Sequence, residues 1–207
     1  ILPTSSQMPV STMTWKSLPR KAMQSHIPLK GYGSISVMIG QTVPIKDHPS
    51  SIALECAVEI FGGGMTGRLM HIVREEKGLG TYGIYSELKL VNSRTDKIFV
   101  ISGSFSPDSF DAGMKCTRKL LADFCQKGIT EKELEFAKTR MIGSRKISRD
   151  DVTELKRACI DEIIDGNDPF AAFENFDKRV GELTVSKVND AIKKYLDCTK
   201  MIEISCG

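Results

Sequence analysis

Few residues of this chain have the types and the spacing that catalysis by a bound metal requires. None of the three histidines, His26, His48 and His71, has a second histidine at the spacing of HExxH or HxxEH. His71 is followed by Glu75 and Glu76, a pattern more typical of a solvated pair on a helix than of a ligand set. The sequence therefore predicts that this chain holds no metal and activates no metal-bound water by itself.

The segment Gly62-x-Gly64-x-x-Gly67 matches the dinucleotide-binding fingerprint letter for letter. That fingerprint requires a strand before the first glycine and a helix after the last. Here the pattern predicts a helix before the glycines. We therefore interpret Gly62, Gly63 and Gly64 as a structural corner between two helices, where missing side chains permit positive φ and close packing. The sequence contains no nucleophile elbow or P-loop.

The stretch from Phe61 to Ser86 brings one arginine and two tyrosines near each other. Its pattern predicts a helix that ends at Gly78 and a following strand, with Arg74 about one turn from the helix end. An arginine and a tyrosine at a strand edge can donate hydrogen bonds to peptide carbonyls. The alternative is that Arg74 lies over the sheet while Tyr82 and Tyr85 pack in it.

Hydrophobic spacing predicts an α+β fold, with an antiparallel sheet that helices cover on one side. Strands are expected at 34–39, 82–91, 98–104 and 201–205, the second and third of them paired as an antiparallel hairpin. Helices are expected at 49–61, 66–77, 106–127, from 130 onward, 151–165, 169–180 and 184–196. Thr66 and Thr184 are expected as N-caps, Thr130 and Glu133 as a capping box, and Gly128 as the end of the helix before it. The only charged residues of the helix at 49–61 are Glu55 and Glu59, so the rest of its circumference is expected to be buried. Residues 1–30 are expected to be an irregular N-terminal segment with an edge strand near Met13-Thr14-Trp15. Residues 31–207 are expected to form one domain.

Composition excludes several classes of function. The 207 residues are 41% hydrophobic, and 29 basic against 26 acidic residues leave a net charge of +3 without a basic stripe, so no nucleic-acid partner is expected. No apolar run approaches the ~20 residues of a membrane helix, and the N-terminus does not resemble a signal peptide. The six cysteines include no CxxC pair, which predicts reduced, structural thiols and a soluble protein of a reducing, cytoplasmic compartment.

Several motifs resemble the C-terminal half of the pitrilysin/insulinase-type zinc peptidases, which include the mitochondrial processing peptidases. The resemblance extends from about residue 30 to residue 205. It is carried by Gly62-Gly63-Gly64, Arg68-Leu69, Arg74-Glu75, Gly78-Leu79, Tyr85-Ser86, Gly128-Ile129-Thr130-x-x-Glu133-Leu134, and an ending from Leu183-Thr184 through Tyr195-Leu196 to a final strand.

The resemblance implies a metallohydrolase half-domain of the processing-peptidase type, one of two similar halves. The other half, on the same chain or a separate subunit, would carry HxxEH and the zinc. This half would contain no cofactor and would not be catalytic alone. By resemblance, Arg74 and Tyr82 assist as donors to the substrate carbonyl or oxyanion, with Tyr85 as a further substrate-binding residue.

One departure from the family pattern affects this assignment. The family places the tyrosine seven residues after the arginine, whereas Thr81 stands there and Tyr82 is at eight. Either a β-bulge absorbs the extra residue or the pair is degraded. Three functions remain open: the substrate-binding half of a zinc endopeptidase, a catalytically inactive scaffold subunit, and a free-standing peptide-binding module.

Overall fold

The computed structural model describes residues 21–45, 48–90, 96–164, 168 and 175–207. The strands are β1 (Met23–Ile27), β2 (Ile35–Pro44), β3 (Gly80–Leu90), β4 (Asp96–Phe105) and β5 (Ile202–Cys206). The α-helices are α1 (His48–Gly62), α2 (Phe110–Lys127), α3 (Glu131–Arg149), α4 (Val152–Ile164), α5 (Phe176–Gly181) and α6 (Val185–Tyr195). Short 3₁₀ helices form at Gly64–Thr66 and Pro107–Ser109, and a π-helix forms at Leu69–Glu76. The edge strand expected near Met13 lies outside the described residues.

The five strands form one sheet in the order β1-β5-β2-β4-β3. The pairs β5-β2, β2-β4 and β4-β3 are antiparallel, and the predicted hairpin of β3 and β4 is confirmed. The pair β1-β5 is parallel, so the prediction of a wholly antiparallel sheet was wrong at this edge. These two strands come from opposite ends of the described chain, and no hairpin turn forces them to run in opposite directions. Strand β1 was missed because all five of its residues are exposed and show no apolar alternation.

One face of the sheet is covered by helices and the other is open. Along β2, Val37 and Ile39 are buried, whereas Met38 between them is 49% exposed. This period of two is the alternation that the sequence shows, and it places the core on a single side of the sheet. The α+β class predicted from the sequence is therefore confirmed.

Helix α1 forms the centre of the covering layer. Its charged residues Glu55 and Glu59 are half-buried on one stripe, and the other residues from 51 to 62 are buried, as predicted. Phe61 near its end stacks on Phe124 of α2, with ring centroids 4.6 Å apart. The helix therefore joins the sheet to the outer helices through apolar contacts on most of its circumference.

Three helix ends encoded by local motifs are where the sequence places them. Thr130 and Glu133 form the predicted capping box at the start of α3, and Thr184 caps α6 by accepting a hydrogen bond from the Lys187 amide at 3.3 Å. Gly128 ends α2 with φ +70°. The predicted helix 169–180 is described only in part, and there a helix runs over Phe176–Gly181.

Cys125 of α2 and Cys198, in the turn before β5, form a disulfide with Cα atoms 6.7 Å apart. The prediction that all cysteines are reduced was therefore wrong for this pair, and the preference for a reducing compartment loses that support. The pairing follows from packing of α2 against the turn after α6, which sequence spacing alone does not encode. Cys56 is a free thiol, and burial first and Glu59 second raise its pKa to about 12, so it acts as an apolar core residue.

Within the described ranges, no helix combines the length and apolar character needed to span a lipid bilayer.

Candidate functional site

The segment Gly62–Gly67, here called the glycine corner, turns the chain from α1 toward the π-helix. Gly64 has φ +56°, a backbone conformation that favours glycine. A Cβ atom at Gly62 would lie 2.6 Å from the Ser86 hydroxyl oxygen, and one at Gly67 would lie 2.7 Å from the Cα of Gly62. These distances are too short for a side chain, so the corner depends on its missing Cβ atoms rather than on a bound nucleotide.

Arg140 of α3 holds the glycine corner to the rest of the fold. Its guanidinium donates to the carbonyl oxygen of Gly63 and to the Thr66 hydroxyl at 2.8 Å. The same side chain pairs with Glu59 of α1 at 2.9 Å. Thr66, which the sequence predicted as a helix N-cap, instead lies in the 3₁₀ turn and binds this arginine, because the helix that follows begins only at Leu69.

Arg68 is held just after the glycine corner by a bidentate contact to Glu133. Its Nε and Nη2 atoms donate to the two carboxylate oxygens at 2.5 and 2.7 Å, and Nη2 also donates to the carbonyl oxygen of Gly128 at 2.8 Å. Burial raises the pKa of Glu133, but Arg68 and the hydrogen bonds from Thr130 outweigh it, so this pKa lies below its usual range. Glu133 therefore serves both the α3 capping box and the packing of the corner.

Sequence reasoning identified neither Arg140 nor Arg68 as a clamp on the corner. For Arg68 the sequence did contain a clue to this contact, because Arg68 and Glu133 both belong to the motifs that carry the family resemblance. Nothing in the sequence alone indicates that Arg140 reaches back to a glycine carbonyl from a helix far along the chain. Both arginines act structurally, because carboxylate and carbonyl partners occupy their donors.

Arg74 lies on the π-helix, where the sequence predicted an ordinary α-helix. The helix buries Leu69 and Val73 against the core, and at its end the Lys77 amide donates to the Ile72 carbonyl at 3.2 Å. Arg74 is 35% exposed, and the ion pair that the structure gives it, to Glu75, is long at 3.9 Å. The Arg74 guanidinium is therefore available to a ligand on the solvent side. π-helical segments frequently occur at functional sites.

The start of β3 lies directly beside Arg74. A Cβ atom at Gly80 would be 3.8 Å from the Arg74 Cβ, and the Ser109 hydroxyl donates to the Leu79 carbonyl at 2.9 Å. This contact ties the turn between the π-helix and β3 to the beginning of α2. The backbone around Arg74 is thus fixed on both sides, while its side chain stays about one-third exposed.

A β-bulge interrupts the pairing of β3 with β4. Gly80 pairs with Phe105 and Ile84 pairs with Gly103, so β3 advances four residues while β4 advances two. The backbone of Tyr82 lies inside this bulge; its side chain is outside the described part of the structure. The irregularity lies where the sequence allowed a β-bulge to absorb the extra residue before Tyr82.

Tyr85 lies just beyond the bulge, paired with Ser102 of β4. Its side chain is 46% exposed on the open face of the sheet. The structure therefore brings Arg74 to the start of β3 and places Tyr82 and Tyr85 along the same strand. Their roles toward a substrate stay predictions.

The chemistry available at this edge is hydrogen-bond donation rather than metal catalysis. Across the described residues, no three side chains of His, Cys, Asp or Glu lie together as a metal ion would require. His71 pairs with Glu76 at 3.2 Å, and both side chains are exposed, as the sequence predicted. An arginine and a tyrosine can hold and polarise a peptide carbonyl, but they cannot replace a metal in activating water.

Comparison with known proteins gives a consistent result. A family model described as the peptidase M16 inactive domain matches residues 19–141, more than half of the chain. The chain is 24% identical over 148 residues to the probable zinc protease PqqL of Escherichia coli, covering 72% of this chain and 16% of PqqL. It is 22% identical over 165 residues to the non-peptidase homolog YmxG of Helicobacter pylori, covering 78% of this chain and 37% of that protein.

A solved structure supports the same assignment. The crystal structure of a peptidase M16 inactive domain from Pseudomonas fluorescens superposes with a TM-score of 0.76 and 30% sequence identity, over 90% of this chain and 44% of that one. The chain thus spans less than half the length of this structure and of the two curated relatives above. The family model and the shared fold agree with the resemblance found in the sequence, and the chain belongs to the family of peptidase M16 inactive domains.

Proposed function

We propose that this chain is the substrate-binding, non-catalytic half of a zinc metalloendopeptidase and that it holds the peptide backbone for cleavage by a partner half. The partner half carries HxxEH on the same chain or on a separate subunit. The proposal is supported by family membership, by relatives named zinc proteases, and by the absence of HxxEH from this sequence.

The observation that carries the proposal is the difference between Arg74 and the arginines of the glycine corner. Arg68 and Arg140 reach carboxylates at 2.5 and 2.9 Å and also bind backbone carbonyls. Among the described residues, Arg74 pairs with a carboxylate only at 3.9 Å, that of Glu75, and it lies beside a bulged strand edge. A cation with so weak an internal partner contributes little to stability, so a contact to a ligand is the better explanation of its position.

The two site residues would act on different carbonyl groups of the peptide. The zinc of the partner half would supply the activated water and polarise the scissile carbonyl. Tyr82 would donate to the oxyanion that develops from this carbonyl, which is the role of a second donor in the transition state. Arg74 would hold a neighbouring carbonyl of the bound peptide. Among the described residues no group of side chains would hold zinc, so the proposal assigns the metal to the partner half.

A catalytically inactive scaffold subunit is the second candidate function. One specific observation favours it: YmxG of Helicobacter pylori is named a non-peptidase homolog. The position of Tyr82, eight residues after Arg74 rather than the seven of the family pattern, also suits this alternative. A scaffold subunit does not need the tyrosine at the family position. In that case the chain assembles with a partner half without contributing to cleavage.

Reconstitution with the HxxEH half separates the two functions. The tag-free chain alone is expected to hold no stoichiometric zinc and to hydrolyse no peptide. The two halves together are expected to cleave peptides, and Arg74→Ala is expected to lower kcat/KM. The matched control is His71→Ala, because His71 lies on the same π-helix and is also exposed.

Stoichiometric zinc in the tag-free chain would contradict the proposal. So would equal activity of the wild-type, Arg74→Ala and Tyr82→Phe assemblies, a result that supports the scaffold function. The control protects against a trivial explanation, since a loss of activity in His71→Ala would show that any change on the π-helix disturbs assembly.

A further inference from the structure

The disulfide of Cys125 and Cys198 lies beside a surface cleft rather than in the core. Both cysteines are partly exposed, and both line a cavity of about 490 Å³ between the end of α2 and the chain that runs from the end of α6 into the turn before β5. The bond and the cavity together are here called the disulfide cleft. A thiol from solution can reach a disulfide in such a position, and access is one of the factors that set the rate of thiol–disulfide exchange.

The size and lining of the disulfide cleft suit a small polar molecule. Small-molecule sites commonly have volumes of roughly 300–1,000 Å³, and this cavity lies in that range. Gln126 and Thr199 bring an amide and a hydroxyl group to its wall, next to the two cysteines. A thiol of the size of a short peptide, with polar ends, therefore fits the cleft better than a purely apolar compound.

The disulfide cleft is positively charged. Lys193 and Lys194 line it from the last turn of α6. Asp197, the acidic residue among the described residues that line it, pairs with Lys200 at 2.9 Å and accepts a hydrogen bond from the Thr199 hydroxyl at 2.6 Å. Two lysines beside one carboxylate that is already paired attract an anionic ligand. They also favour the thiolate form of a cysteine that is released there.

The structure around the bond accommodates reduced cysteines as well as the disulfide. The Sγ atom of Cys198 lies 3.5 Å from the carbonyl oxygen of Leu121, so its thiol has an acceptor in place once the bond is broken. The neighbouring side chains of Leu121, Phe124, Tyr195 and Leu196 are buried in the hydrophobic core. This packing holds α2 and α6 together, so the reduced chain is expected to stay folded.

The bond closes a loop that contains most of the helical layer. Cys125 and Cys198 are 73 positions apart, and helices α3, α4, α5 and α6 all lie between them. A cross-link over so long a loop restricts the unfolded chain and thereby stabilises the folded one. The redox state of this one bond therefore determines how firmly four helices are held.

We propose that the disulfide cleft is a thiol-exchange site for a small anionic thiol of the glutathione class. The ligand thiolate attacks one cysteine sulfur, the bond between the cysteines breaks, and the other cysteine leaves as a thiolate that takes up a proton. A second ligand thiolate attacks the ligand sulfur of the mixed disulfide and releases the second cysteine. Two ligand thiols are thus oxidised to one disulfide, while the Cys125–Cys198 bond is reduced to two thiols. The proposal does not depend on the proposed function.

Reduction of the full oxidised chain by two different thiols tests the proposal. Glutathione is the anionic probe, and cysteamine, whose ammonium group balances its thiolate, is the uncharged comparison. Each is added at millimolar concentration without denaturant, and the released thiols are alkylated and located by mass spectrometry. Glutathione is expected to release Cys125 and Cys198, with a glutathione adduct on one of them as the intermediate.

The lysines of the cleft supply the specific readout. The double variant Lys193→Gln, Lys194→Gln is expected to slow reduction by glutathione about threefold to tenfold, and reduction by cysteamine less than about twofold, because only glutathione carries net negative charge. The matched control is Lys146→Gln, Lys156→Gln, which removes two exposed lysines of α3 and α4 outside the cleft. Equal slowing by the two double variants, or equal slowing with the two thiols, would contradict an anionic ligand in this cleft.

Thermal unfolding checks the consequence of the exchange. The reduced chain is expected to melt cooperatively about 5–15 °C below the oxidised chain. Cys125→Ser, Cys198→Ser is expected to melt at the temperature of the reduced chain whether or not a thiol is present. A disulfide that persists in the folded chain under millimolar glutathione would overturn the proposal, because the bond would then be purely structural. Unfolding of the reduced chain at room temperature would overturn it as well.

Discussion

The glycine corner is a neighbour in the chain of the segment Arg74–Tyr85, here called the Arg74 edge. The two regions use arginine in opposite ways. At the corner, Arg68 and Arg140 each bind a carboxylate and a backbone carbonyl. At the edge, the ion pair that Arg74 makes among the described residues is long, and its side chain is 35% exposed. The first arrangement stabilises a turn in which four of the six residues are glycines. The second leaves a cation in a fixed position with its donors available, as a substrate-binding residue requires.

The largest expected effect belongs to Tyr82 at the Arg74 edge. Tyr82→Phe in the assembled enzyme should lower kcat by about 10²–10³, or ~3–4 kcal/mol, because it removes a donor that acts mainly in the transition state. KM should change little. Steady-state kinetics check both values. If Tyr82→Phe stays within about twofold of wild type while Tyr85→Phe lowers kcat about a hundredfold, Tyr85 is the donor and the assigned register is wrong.

Arg68→Ala tests the structural role of arginine at the glycine corner. It should lower the free energy of unfolding by about 2–3 kcal/mol, because it leaves the half-buried Glu133 without its bidentate partner. Urea denaturation measures this change. As a control, Arg74→Ala should alter stability by less than about 0.5 kcal/mol. Equal destabilisation by the two variants would show that both arginines are structural.

Arg74→Ala should show its effect in substrate binding. We expect KM to rise about tenfold, equivalent to ~1.4 kcal/mol, because the arginine holds a carbonyl of the ground-state peptide. Arg74→Lys should restore part of the loss, since it keeps the charge without the planar donor pair. Unchanged kinetics in Arg74→Ala, with assembly intact, would favour the scaffold function.

The smallest effect is a pH dependence at the corner. The pKa of Glu133 is lowered in the folded state, so its stabilising contribution is complete above its ordinary pKa and is lost as the pH falls through the folded value. Wild type should therefore lose more stability than Glu133→Gln between neutral and strongly acidic pH, by about 1 kcal/mol or less. Parallel loss in the two proteins would show that Glu133 is not the titrating group.

Local motifs explain how much of the fold the sequence predicts. The capping box of Thr130 and Glu133 and the helix end at Gly128 involve residues close in sequence, and both are present. The π-helix was missed, because residue preferences do not separate it from an α-helix. The parallel pairing of β1 was missed because an exposed strand lacks an alternating pattern.

Contacts between distant residues explain what the sequence could not predict about the site. Arg140 reaches Gly63 across 77 positions, and the disulfide of Cys125 and Cys198 spans 73. Neither spacing has a signature in a single sequence. Arg74 and Tyr82 were found by resemblance, and the bulge at β3 agrees with the extra residue between them. Their action on a substrate requires a partner half and stays a prediction.

Hydrogen exchange in the assembled protein tests the central claim, that the Arg74 edge binds peptide and the glycine corner is structural. The chain is combined with its HxxEH half, with the zinc removed so that an added peptide is not cleaved. The account predicts that the peptide slows exchange over residues 68–86 and leaves residues 124–134, which contain the Arg68 partners, unchanged. No slowing over 68–86, with the zinc-loaded assembly shown to be active, would contradict it.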